Sequence, residues 1–127
     1  MIHHRHPETI LIAAANTIGR GADAQYVGRN QLDAATLDRF ILAMIRVDYD
    51  PALECHIMDG APNGELCLGW IHGLRDSIDR AKLRRLASTR LVIAAAADLR
   101  AGQTLAQIQA DYFADWSADE KRKVGAE

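Results

Sequence analysis

Residues 10–40 read ILIAAANTIGRGADAQYVGRNQLDAATLDRF, and this stretch decides the fold that the sequence predicts. It opens with a run of β-branched and small residues from Thr9 to Ala15, a composition typical of a strand that is buried on both faces. Asn16 follows at the carboxyl end of this predicted strand. Because ligands bind beyond the carboxyl ends of strands in open α/β sheets, Asn16 points to a binding site.

A long loop rich in glycine follows, and it leads into a short predicted helix over Leu32–Phe40. Long ordered loops in compact domains are usually functional, although a hairpin without a function is the alternative. Asp33 is suited to cap the helix, because its carboxylate can accept from the amides of the first turn. Arg39 lies near the helix C-terminus, where a cation interacts favourably with the helix dipole, so spacing alone assigns it no further role.

A second apolar run, Phe40–Tyr49, predicts the next strand of the same sheet. Asp50 and Pro51 follow it, and proline is favoured at the first position of a helix because an N–H there has no helical partner. This change of pattern predicts a domain boundary. Residues 1–50 would belong to an α/β core, and residues 51–127 would form a helical domain, so that the chain is mostly helical.

After Pro51 the sequence predicts helices over residues 51–58, 65–85, 104–113 and 117–124, and a clearer one that begins after Ser88. This clearest helix is apolar on nearly every side from Leu91 to Leu99 and ends before Gly102. A helix that is apolar all round is expected at the centre of a bundle. Arg90 lies in its first turn, where the helix dipole disfavours a cation, and a nearby phosphate would account for that placement.

Three motifs, in this order along the chain, resemble the AAA+ ATPases of the MoxR type, in the dynein-related branch that includes the cobaltochelatase ATPase subunit. They are AAANTIGRG at residues 13–21, LDRF at 37–40 and LASTRL at 86–91. The resemblance implies that Asn16 is sensor 1, which positions the water that attacks the γ-phosphate of ATP. It also implies that Arg39 is the arginine finger offered to a neighbouring subunit, and that Arg90 is the sensor 2 arginine of a helical lid.

The sequence departs from that family in the parts that bind ATP. It contains no Gly-Lys pair, and therefore no GxxxxGK[ST] loop to cradle phosphates. Its one Asp-Glu pair, Asp119-Glu120, lies in a polar stretch and not at the end of an apolar strand. We therefore expect the C-terminal portion of an AAA+ protein, inactive alone, that uses ATP and Mg²⁺ only in a complete assembly.

The resemblance also implies the partners: further copies of the chain or a Walker-containing AAA+ half, and a protein with a metal-binding adhesion-type domain. The intact machine would couple ATP hydrolysis to the remodelling of a client protein. The alternative is a non-enzymatic helical protein-interaction module derived from an AAA+ protein.

Composition and charge narrow the kinds of partner, compartment and metal site that the sequence predicts. A net charge of −2 gives no electrostatic reason to expect nucleic acid or an anionic membrane as a partner. The apolar runs are too short for a membrane span, and two cysteines without a secretory signal favour reduced thiols in the cytoplasm. Cys55, His56, Cys67 and His72 are potential zinc ligands, but their spacing matches no compact zinc motif, so no metal site is predicted.

Overall fold

The computed structural model describes residues 4, 6–15, 33–40 and 44–126 of the chain. Helices account for 57% of these residues, so the mostly helical class is confirmed. The helices are α1 (Ala34–Asp38), α2 (Pro51–Met58), α3 (Gly64–Ala81), α4 (Thr89–Arg100), α5 (Leu105–Tyr112) and α6 (Ala118–Val124). Among the helices of the described residues, none has the length and apolar character that a membrane span requires.

Local capping explains where most helices begin. The Asp50 carboxylate accepts from the amides of Ala52 and Leu53 ahead of α2, and Asp33 accepts from the Thr36 amide ahead of α1. Thr104 and Ser117 each form a reciprocal capping box with the residue three positions later, at α5 and α6. The sequence predicts these starts because each one depends on residues within a single turn.

The end of α3 differs from its prediction. The sequence favours a helix that continues to about Arg85, but α3 ends at Ala81. Lys82 adopts the left-handed conformation at φ 53°, and its N–H closes the last turn on the carbonyl oxygens of Asp79 and Ile78. Residues 83–88 then cross to α4 without regular structure.

The core lies among α2, α3, α4 and α5, and α4 packs against the other three. Its buried hydrophobic residues are Met58, Cys67, Leu68, Ile71, Leu74, Ile78, Ala87, Val92, Ala95, Ala96, Leu99, Ile108 and Trp116. The central position of α4 agrees with its apolar sequence, but the helix is not buried all round, because Ile93 on it is more than half exposed.

An aromatic cluster joins the C-terminal part of the chain to α3. Trp70 of α3 makes edge-to-face contacts with Tyr112 and Phe113, and Phe113 makes one with Trp116 at 5.0 Å between ring centroids. Such pairs add to the stability that burial alone supplies. The guanidinium of Arg85 lies 5.0 Å above the Trp116 ring and forms ion pairs with Asp115 and Glu120. These contacts fix the start of α6 against the loop that precedes α4.

The two predicted strands do not form in the described parts of residues 9–15 and 44–49, which have no regular secondary structure. Their apolar side chains face outward; Ile12 is 87% exposed and Val47 is 90% exposed. A strand satisfies its backbone N–H and C=O groups through a neighbouring strand, and the described residues supply no such neighbour. The composition of these segments predicts strands, but the described residues contain no second strand to pair with either segment.

Candidate functional site

A buried carboxylate, Glu54 of α2, is the centre of the most extensive polar network among the described residues. Its side chain is 0% exposed and lies among α2, α3 and the first turn of α4. A buried carboxylate is unfavourable unless hydrogen bonds and an opposite charge compensate it. Glu54 has both, and every buried polar side-chain atom of the described residues has a hydrogen-bond partner.

Arg75 of α3 supplies the opposite charge. Its Nη2 donates to Glu54 Oε1 at 2.8 Å and its Nη1 donates to Oε2 at 3.2 Å, a two-pronged geometry that fixes both groups. Its Nε donates to the carbonyl oxygen of Ala87 at 2.8 Å. The ring of Tyr49 covers the guanidinium at 3.8 Å, so Arg75 is held on three sides and is 15% exposed.

Two further side chains complete the shell around Glu54. The Thr89 hydroxyl donates to Glu54 Oε1 at 2.7 Å, and His72 Nε2 lies 2.7 Å from Glu54 Oε2. We call Glu54, His72, Arg75 and Thr89 the Glu54 node. It joins three helices through one carboxylate, because Glu54 lies on α2, His72 and Arg75 lie on α3, and Thr89 begins α4.

The node sets the charge state of Glu54. Desolvation by burial favours the neutral acid, but the hydrogen bonds from Arg75, Thr89 and His72 and the charge of Arg75 outweigh it and lower the pKa of Glu54 to about 2. Glu54 is therefore a carboxylate at neutral pH. A carboxylate with a pKa this far below neutral pH, whose two oxygens are both engaged by other side chains, is poorly suited to taking a proton from a substrate; the node is suited to holding structure and not to acid–base catalysis.

Arg90, the predicted sensor 2 residue, follows Thr89 directly and lies in the first turn of α4. Its side chain is exposed, and it forms no hydrogen bond or ion pair with any described residue. The helix dipole disfavours a cation at this end of a helix. Within the part of the chain that the structure describes, no residue therefore compensates the Arg90 guanidinium, which lies next to the buried node.

Arg39, the predicted arginine finger, is the C-cap residue of α1 and is also exposed. Its backbone N–H donates to the Leu37 carbonyl oxygen, and the described residues offer its guanidinium no ion pair. No hydrogen bond or ion pair links Arg39 to the Glu54 node. Asn16, the predicted sensor 1 residue, lies outside the described residues, so its position relative to Arg39 and Arg90 stays a prediction.

A cleft of about 480 Å³ lies beside the node, between residues 46–49 and the end of α3. Its cations are Arg46, Arg75 and Arg85, and each one is already paired with a carboxylate. Arg75 and Arg85 are also largely withdrawn from solvent, with side chains that are 15% and 24% exposed. The cleft therefore lacks the free positive charge that an anionic ligand requires.

The candidate zinc ligands are not brought together. Cys55 is exposed, Cys67 is buried in the core, and His72 is engaged by Glu54. Burial raises the pKa of the Cys67 thiol, which keeps it protonated and unreactive. Within the described ranges, no three side chains of His, Cys, Asp or Glu are grouped in a way that suits a metal ion.

The Glu54 node was not predicted from the sequence, although one signal pointed to it. His72 and Arg75 are three residues apart on α3, and each one directly follows a core position, Ile71 or Leu74, so both lie close to the apolar face. A cation so near an apolar stripe indicates a buried partner on another helix. The identity of that partner could not be read, because Glu54 is 21 residues away from Arg75.

Comparisons of the chain with models of protein families, with curated proteins and with solved structures found no match.

Proposed function

We propose that the chain is the C-terminal segment of an AAA+ ATPase, in which residues 1–50 contribute to an α/β core and residues 51–127 form the helical lid. The observation that carries the proposal is the placement of Arg90. It lies exposed in the first turn of α4, and the described residues supply no counter-ion for it; a bound phosphate would offset the unfavourable interaction of its charge with the helix dipole. The order of the three sequence motifs supports the same proposal.

The exposed apolar segments give independent support. Ile10, Leu11 and Ile12 in one segment, and Ile45 and Val47 in the other, are each at least two-thirds exposed. Contiguous exposed apolar residues of this kind mark surfaces that another chain covers. We propose that both segments become strands when a Walker-bearing AAA+ half completes the sheet.

In that assembly three residues of this chain would act on ATP. Asn16 would orient the attacking water, Arg90 would hold a phosphate of the nucleotide bound to the same subunit, and Arg39 would reach the nucleotide of the neighbouring subunit. The described residues contain no cluster of three or more carboxylates or other ligand side chains that could hold a metal ion. We therefore assign them no role in binding magnesium. The phosphate-binding loop and the metal ligands would come from the Walker-bearing half.

The context of this activity follows from the resemblance alone. We propose a cytoplasmic homo-oligomer, or an oligomer with the Walker-bearing half, that remodels a client protein with the help of an adhesion-type-domain partner. Neither nucleic acid nor a membrane is proposed as a partner.

The test is reconstitution with the Walker-bearing polypeptide, which is sought first in the DNA immediately upstream of the Met1 codon. We expect the mixture to hydrolyse ATP and the isolated chain to show no turnover above a denatured control. Arg39→Ala should lower the turnover of the mixture by about 10³-fold while nucleotide binding stays nearly intact, because an arginine finger acts on the transition state.

Arg80→Ala is the matched control for Arg39→Ala, because it removes an exposed guanidinium from α3 and should leave turnover unchanged. Normal hydrolysis by Arg39→Ala would show that the finger assignment is wrong. Turnover by the isolated chain, or the absence of a Walker-bearing polypeptide that restores turnover, would overturn the proposed function.

A non-enzymatic helical interaction module is the second candidate. The observation in its favour is that α2–α6 share a hydrophobic core, and that every buried polar side-chain atom of the described residues has a hydrogen-bond partner within the chain. A module of this kind would bind a partner protein equally well with and without ATP, whereas the ATPase segment would not. Partner binding measured by calorimetry in the presence and absence of MgATP separates the two.

A further inference from the structure

Thr89 connects the Glu54 node to Arg90. It is the first residue of α4, its hydroxyl donates to the buried Glu54 at 2.7 Å, and Arg90 is the next residue along the helix. The one contact therefore joins a buried carboxylate to the turn that carries an exposed guanidinium.

The first turn of α4 has few other polar restraints. The N–H groups of a first turn have no acceptor within the helix, and an N-cap side chain usually supplies one. Ser88 is the N-cap residue of α4, but its side chain makes no capping hydrogen bond. The hydrogen bond from the Thr89 hydroxyl to Glu54 is therefore the polar side-chain contact that holds this end of α4 against α2.

The acceptor of that hydrogen bond is itself held firmly. Glu54 receives two hydrogen bonds from Arg75, and Arg75 is fixed in turn by the Ala87 carbonyl oxygen and by the Tyr49 ring. A side chain locked by a second layer of contacts orients the group that it holds. The first turn of α4 is thus held against α2 and α3 through Glu54, and the Ala87 carbonyl oxygen ties the preceding loop to the same Arg75.

We propose that Thr89 and Glu54 are positioning residues, which hold the first turn of α4 so that Arg90 is aimed at a phosphate of the nucleotide. This inference rests on the proposed function. Neither residue touches the nucleotide. A guanidinium that is displaced by a small movement of its helix loses the geometry of a phosphate contact, so a change at Thr89 should appear as a change in nucleotide affinity.

The test uses the reconstituted assembly with MgATP as the ligand. Thr89→Val keeps the β-branched shape and removes the hydroxyl; we expect it to raise the KM for ATP about fivefold to tenfold, with a smaller change in kcat. Thr89→Ser keeps the hydroxyl and should restore a KM close to that of the wild type. Ser88→Ala is the matched control, since it removes a neighbouring hydroxyl that makes no capping bond and should leave KM unchanged.

A double-mutant cycle with Arg90→Ala separates positioning from general destabilisation. If Thr89 acts through Arg90, the double variant Thr89→Val/Arg90→Ala has the same KM as Arg90→Ala alone, whereas independent effects multiply. A Thr89→Val variant with the wild-type KM, or multiplicative effects, would overturn the inference and leave the proposed function standing. An Arg90→Ala variant with the wild-type KM would overturn both, because no guanidinium would then be available to position.

Discussion

At the scale of single residues, Glu54 shows how a buried charge is tolerated. Its two carboxylate oxygens accept from Arg75, Thr89 and His72, so that desolvation is offset by one opposite charge and several short hydrogen bonds. Well-packed apolar side chains of similar volume often stabilise a fold as much as such a buried ion pair does. The removal of one partner is costly, however, because the other charge stays buried without compensation.

The first prediction concerns the pH dependence of stability. The pKa of Glu54 falls from 4.5 in an unfolded chain to about 2 in the folded one, so its contribution is fully present above pH 4.5 and is lost as the pH falls toward 2. At about 1.4 kcal/mol for each tenfold change in proton affinity, this contribution is on the order of 3 kcal/mol. Urea unfolding followed by circular dichroism should show this loss as a fall in the free energy of unfolding as the pH is lowered from 4.5 toward 2.

Glu54→Gln isolates the effect of Glu54 from that of other carboxylates. One of these is Glu120, because its hydrogen bonds from Arg85 also lower its pKa to about 2. The free energy of unfolding of Glu54→Gln should lie well below that of the wild type at pH 7 and approach it near pH 2. Glu65→Gln is the control: Glu65 is exposed in the first turn of α3, so its replacement should change the free energy of unfolding by less than about 1 kcal/mol at either pH. An equal gap between Glu54→Gln and the wild type at both pH values would contradict the prediction.

At the scale of elements, the contact between α2 and α3 depends on a residue without a side chain. Gly64 begins α3 and is buried against the last turn of α2. A Cβ atom at this position would lie 2.7 Å from the carbonyl oxygen of Met58, which is a backbone atom and cannot rotate away. Glycine is needed here for close approach of the two helices and not for an unusual backbone conformation.

The second prediction follows from this contact. Gly64→Ala should destabilise the protein by about 1–3 kcal/mol, because the added methyl group forces α2 and α3 apart. Gly69→Ala on the same helix should stabilise it by up to about 1 kcal/mol, because a Cβ there meets no atom within 4 Å and alanine favours the helix. Thermal unfolding of both variants tests the pair; a stabilised Gly64→Ala would show that the helices separate without cost.

At the scale of the whole molecule, the described chain combines a packed helical body with exposed apolar segments. Residues 51–126 contain the core and the aromatic cluster, whereas the apolar side chains of residues 10–12 and 44–47 remain in solvent. Segments with strand composition and unpaired backbone groups associate with other chains. The isolated protein should therefore contain a folded helical part and exposed apolar segments that associate with other chains.

The third prediction is that the isolated chain self-associates through these segments. Light scattering should give a mass of at least twice that of the monomer, and Ile12→Lys with Val47→Lys should shift it toward the monomer. Leu66→Lys is the control, because Leu66 is 67% exposed on α3 and lies outside both segments. Hydrogen exchange should protect the amides of residues 91–97 far more than those of residues 11–15. A monomer with both sets equally protected would refute the prediction.

The sequence by itself determined the parts of this protein that depend on neighbouring residues. Pro51 begins α2, and the capping box of Ser117 and Glu120 begins α6, as their local chemistry predicts. Ser88 occupies the N-cap position of α4, although its side chain makes no capping hydrogen bond. These features need only one helical turn of chain, so that composition and spacing are sufficient to identify them. The apolar run of α4 also indicated its place at the centre of the body.

Only the tertiary structure decided the features that depend on distant residues. Thr89 donates a hydrogen bond to Glu54, which lies 35 residues earlier in the sequence. Nothing in the sequence distinguishes this pair from the other possible pairs of hydroxyl and carboxylate groups. The left-handed Lys82 ends α3 early, so that residues 83–88 can bring Thr89 to the node. The strand predictions failed in the described residues for the same reason, because the partners of a strand lie elsewhere in a fold and composition does not supply them.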